Sequence, residues 1–134
     1  MLPGGDVVNL FKKLFGRDEE SGEDLPIALD LEERRRQLLQ LEKALDALVN
    51  AMREHPELAS NPGWQGRTAE YGRLAGEAMV LRKRVPTREE LLDLAFEVRP
   101  VFKDVPPGLE GLVGLQDAAM RSAESLVTVL PGER

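Results

Sequence analysis

Leu31, Leu38, Leu45 and Met52 recur every seven residues, and Leu41 and Leu48 fill the alternate positions of the same repeat. Such a repeat lays a stripe of apolar side chains along one side of a helix, and that stripe needs neighbouring helices to cover it. Asp30 with Glu33 gives a capping-box-like start to this helix, with Asp in place of Ser or Thr. Pro56, directly after His55, stops it. No stretch of useful length alternates with period two, and no Asn-Gly or Asp-Gly dipeptide marks a hairpin. The chain is expected to be all-α.

Three further helices are expected after the first. Asn61-Pro62 is an N-cap and N1 pair opening a segment that runs to about Arg84, with Trp64, Tyr71, Leu74, Ala75, Ala78 and Leu81 on one face. Thr87 and Glu90 form a second capping box. The helix they open carries Leu91, Leu94, Ala95, Val98, Val101 and Phe102 as its main stripe, with an end or kink expected near Arg99 at Pro100. The last segment follows Pro106-Pro107-Gly108 and runs to Leu130 before Pro131. With short connections, these make an antiparallel bundle of about four helices over residues 30–130.

Residues 1–29 read as a separate unit. Val7, Val8, Leu10, Phe11, Leu14 and Phe15 fall in one arc of a helical wheel, and Asp6, Asn9, Lys12, Lys13 and Arg17 fall in the other. A short amphipathic helix ending at Gly16 is expected, followed by an acidic linker, Arg17 to Asp24, in which five of eight residues are acidic. The form of the helix is similar to the short membrane-targeting helices of bacterial cell-division and cell-polarity proteins, over about a dozen residues. Apolar side chains would enter the acyl boundary while Lys12 and Lys13 meet anionic headgroups. The same face also suits a groove on a partner protein, or the chain's own bundle. A secretory signal is not expected, because the two lysines lie inside the apolar stretch rather than before it.

Composition narrows the functional classes. The 134 residues carry a net charge of -6, which disfavours a general nucleic-acid binder, since phosphate neutralisation dominates such affinity. There is no cysteine, so disulfides, thiolate chemistry and sulfur-ligated metals are excluded. The lone histidine, His55, sits at a helix end and reads as a carbonyl cap or an exposed side chain. There is no Glu-x-x-His pair, phosphate-binding Gly-rich loop or G-x-S-x-G elbow. Acidic pairs such as Glu32-Glu33 and Glu89-Glu90 lie in first turns, where the helix dipole explains them. No catalytic, cofactor or metal residues are expected.

Three other features qualify as candidates. Residues 61–88 hold six basic side chains against two acidic ones, a local +4 that leaves -10 elsewhere. Within them Arg82, Lys83, Arg84 and Arg88 are a candidate anion contact, but no aromatic interleaves with them to stack on bases. Gly72 and Gly76 on one helix, and Gly111, Gly114, Ala118 and Ser122 on another, form strips of small residues suited to close helix packing or self-association. Leu92 and Phe96 lie off the main stripe of their helix, as an anchor for a partner or a cover for the N-terminal segment. Arg34-Arg35-Arg36 reads as a solvated face.

The expectation is therefore a non-enzymatic interaction or scaffold module, recruited to a membrane or a partner protein by the N-terminal helix. It would be cytoplasmic, peripheral at the inner membrane face, and self-associating. A binder of an acidic ligand or nucleic acid through residues 82–88 is the first alternative, and a small all-α metal-dependent hydrolase the second.

Overall fold

The computed structural model describes residues 29–103 and 107–133, and all regular structure among them is helical. Of the amphipathic helix and acidic linker expected over residues 1–29, all but Leu29 lie outside the described residues. Helix α1 spans Leu31–Glu54, and the Asp30 carboxylate accepts the Glu33 N–H at 3.2 Å at its start. Pro56 ends α1 and also opens a single helical turn, α2 (Pro56–Ala59). The ring removes an N–H that an interior helical position needs but a first position does not.

Helix α3 (Pro62–Arg82) begins where the Asn61 side chain accepts the Trp64 N–H at 3.1 Å. Helix α4 (Arg88–Glu97) begins with a complete capping box. Thr87 Oγ1 accepts the Glu90 N–H at 3.1 Å, and the Glu90 carboxylate accepts the Thr87 N–H at 2.9 Å. It ends at an extended Val98, ahead of Pro100. Helix α5 (Glu110–Ser125) stops five residues short of the Leu130 expected from the apolar pattern. The carbonyls that would continue it are taken instead by arginine side chains from α1 and α4.

The core is aliphatic and centred on α1. Leu38, Leu41, Leu45, Leu48 and Met52 are wholly inaccessible, so the seven-residue seam is covered from Leu38 onward, while Leu31 at its start is half-buried. Each such side chain is worth about 1.5–3 kcal/mol of burial. Helix α1 packs mainly against α3, which brings Leu74, Ala78 and Leu81, and against α5, which brings Ala119 and Ala123, with Leu126 at its C-cap. Leu91 and Leu94 close the core from α4. No helix among the described residues is long and apolar enough to cross a membrane.

Candidate functional site

Three polar clusters sit inside or against this core; the first two direct most of their donors and acceptors to the chain's own backbone, and the third pairs with carboxylates of neighbouring helices. The first centres on Arg34, which is fully buried. Its Nε donates to Glu133 Oε2 at 2.9 Å and its Nη2 to Glu133 Oε1 at 2.6 Å, a two-point pair. Nη1 donates to Gln37 Oε1 at 2.8 Å and to the Ser125 carbonyl at 3.0 Å, and Nη2 also reaches the Thr128 carbonyl at 2.5 Å. Arg88 adds donations to the Leu126 and Val127 carbonyls, at 3.3 and 2.5 Å. Two guanidinium groups thus satisfy the orphan carbonyls at the end of α5 and complement its dipole.

Glu133 reaches this position through a turn written in the sequence. Leu130-Pro131-Gly132-Glu133 closes with Glu133 N–H donating to the Leu130 carbonyl at 3.0 Å, and Gly132 has φ 88°. Pro then Gly at the two central positions is the pattern of a type II turn, whose second central residue needs a positive φ. The carboxylate further accepts the N–H groups of Asp30 and Leu130, at 2.9 and 3.1 Å. Burial alone would raise its pKa, but the Arg34 guanidinium and these two N–H groups outweigh burial and hold it down at about 2.

This corrects the reading of Arg34-Arg35-Arg36 as a solvated face. Arg35 and Arg36 are exposed, and Arg36 pairs with Glu33. Arg34 points the other way, because a helix turns by 100° per residue. The signal was in the sequence: Arg34 precedes Leu41 and Leu48 by one and two heptads and so occupies the buried seam.

The second cluster holds the segment after α4. Gln116, also buried, accepts the N–H groups of Val101 and Phe102 at 2.7 and 2.8 Å and donates to the Phe102 carbonyl at 3.0 Å. The Tyr71 hydroxyl donates to the Arg99 carbonyl at 2.5 Å. Burial pushes its pKa up to about 12. Trp64 stacks on Phe102 with ring centres 5.0 Å apart, and the Arg67 guanidinium lies 4.7 Å over the Trp64 ring. Gln116 is the other residue that sequence reasoning missed. It falls at helical spacing between Leu112 and Ala119, as a polar member of an apolar stripe.

The third is the basic cluster, whose members are not brought to one point. Arg82 pairs with Glu42 of α1 at 2.8 Å, and Arg84 pairs with Glu90 of α4 at 2.7 Å. The Arg84 guanidinium, with the Thr87 N–H, holds the Glu90 carboxyl at about 2. Arg88 caps α5, and Lys83 is exposed at the C-cap of α3. Three guanidinium groups therefore face three different partners rather than a shared cradle.

The strips of small residues do not meet each other. A Cβ added at Gly72, Gly76, Gly111 or Gly114 would find no atom within 4 Å. Ala118 and Ser122 are half-buried. His55 sits half-buried between α1 and α2. Its backbone N–H donates to the Met52 carbonyl, and its Nδ1 is buried with no hydrogen-bond partner among the described residues. No three acidic or histidine side chains among the described residues gather where a metal ion would sit.

What the polar clusters leave over is apolar. A groove of about 420 Å³ runs between α4 and α5, floored by Ala95, Val98 and Ala123 and walled by Phe96, Met120 and Val127. Phe96 is 60% exposed. Asp117, Arg121 and Glu124 form the rim.

These features define, among the described residues, an all-helical protein whose buried side-chain polar atoms other than His55 Nδ1 are paired internally, with an apolar groove between α4 and α5. Comparison of the chain with family models, with curated proteins and with solved structures returns no match.

Proposed function

We propose that the chain is a non-enzymatic interaction module, an antiparallel bundle of about four helices carried to an anionic membrane surface by residues 7–15. The observation that carries this reading is the clean division of that segment. On a helical wheel, Val7, Val8, Leu10, Phe11, Leu14 and Phe15 would take one side and Lys12 and Lys13 the other. The bundle supports it indirectly. Its most sharply aimed polar groups, those of Arg34, Arg88, Gln116 and Tyr71, are committed to holding the chain's own backbone.

Basic residues within a segment of this kind add attraction to anionic lipid, and a single short helix binds weakly and reversibly. Self-association would strengthen the attachment through effective concentration. The test is co-sedimentation with vesicles of phosphatidylcholine and phosphatidylglycerol in equal parts. Full-length protein is expected to pellet, and a chain lacking Val7–Phe15 is expected to stay in solution. Equal pelleting of the two would overturn the reading.

A further inference from the structure

We infer that the groove between α4 and α5 is the seat of the chain's own residues 7–15, which it holds back from the membrane until the two are separated. The inference rests on the outward role proposed for that segment and adds its regulation.

Four observations point to this occupant. The first is where the described chain begins. The Asp30 N–H donates to Glu133, and Arg34 reaches the Ser125 carbonyl, so the start of α1 lies against the end of α5. Glu124 and Val127, on either side of that carbonyl, line one end of the groove. The second is reach. Thirteen residues separate Phe15 from Leu29, and the connection spans up to about 45 Å when extended. The groove runs from Asp117 on α5 to Val127 just past its end, about 15 Å at helical rise, and a helix formed by residues 7–15 would be about 14 Å long.

The third is chemistry. Phe96 is the most exposed aromatic among the described residues, and it faces a groove with Met120 and Val127 for which Phe11, Leu14 and Phe15 are suitable side chains. The fourth is charge. The rim carries Asp117 and Glu124 against Arg121, and Asp93 is exposed one turn before Phe96. That surplus repels an anionic membrane and attracts Lys12 and Lys13. An intramolecular ligand on a linker of this length also acts at roughly millimolar effective concentration.

The absence of cysteine allows a single probe to be placed. A spin label on Asn9→Cys, on the polar side of the segment, is expected to broaden the NMR signals of Phe96, Met120 and Val127 in the same molecule. Isotope-labelled protein without the spin label, mixed with unlabelled protein that carries it, tests a second copy as occupant. Broadening confined to the mixed sample overturns the inference, as does no broadening in either sample. The Phe96→Ser variant, altered only at an exposed side chain, should lose the broadening and bind the same vesicles about fivefold more tightly, because more of the chain is competent. Unchanged vesicle affinity in that variant overturns the holding role. Broadening without any vesicle binding keeps the seat and overturns the membrane reading. Vesicle binding without broadening does the reverse.

Discussion

Arg34 and Glu133, 99 residues apart in the chain, form a buried two-point ion pair that ties the start of α1 to the turn after α5. The same guanidinium group takes the last carbonyls of α5, so one side chain joins both ends of the described chain and decides where the last helix stops.

Removing Arg34 should therefore cost far more than removing a surface arginine. Arg34→Ala leaves a buried carboxylate and several helix-end carbonyls without a donor, a loss of about 3–5 kcal/mol. Arg34→Lys should recover little of this, because an ammonium group cannot serve acceptors spread around a planar fork. Arg36→Ala, at an exposed pair, should cost less than about 1 kcal/mol. Urea unfolding of the three variants checks the ranking.

The pair also sets an acid limit. The folded pKa of Glu133, about 2, lies below its ordinary value of 4.5. Its contribution is thus fully present above about pH 4.5 and is lost as pH falls from there toward 2. The melting temperature of the parent protein should drop through that window more steeply than that of Glu133→Gln, which has no carboxylate to protonate at this site. Parallel slopes for the two proteins would contradict the assignment.

Gln116→Leu preserves volume but strands the N–H groups of Val101 and Phe102 and the Phe102 carbonyl. A loss of about 2–3 kcal/mol is expected from those unpaired groups. The released segment should also disturb the stack of Phe102 on Trp64. Fluorescence of Trp64, the single tryptophan, reads that local change separately from global unfolding.

The glycines of α3 and α5 test self-association. Gly72→Ala and Gly76→Ala place a methyl group in open space on a helix, so each should stabilise a monomer by about 0.4–1 kcal/mol. If these strips pack against a second copy, the same methyl groups hold the two backbones apart, and the variants lose the dimer instead. Sedimentation and thermal melting of the double variant distinguish the two outcomes. The same pair of measurements applies to Gly111→Ala and Gly114→Ala.

The sequence by itself determined the four longer described helices and most of their inner faces, but not the single turn Pro56–Ala59 or the early end of α5. Asp30, Asn61 and Thr87 were legible as caps because an N-cap satisfies backbone donors within three residues of itself, and the seam from Leu38 to Met52 was legible because burial repeats with the helical period. Only the tertiary structure decided what the polar interruptions of those stripes do. Arg34 lies in the seam of Leu41 and Leu48, and Gln116 lies in the stripe of Leu112 and Ala119, yet nothing near either residue names its partner. Apart from Gln37 beside Arg34, those partners are the Glu133 carboxylate and backbone groups far along the chain, and backbone groups are the same at every residue. They become specific acceptors or donors only once packing has fixed which helix end, or which stretch of loop, stands opposite.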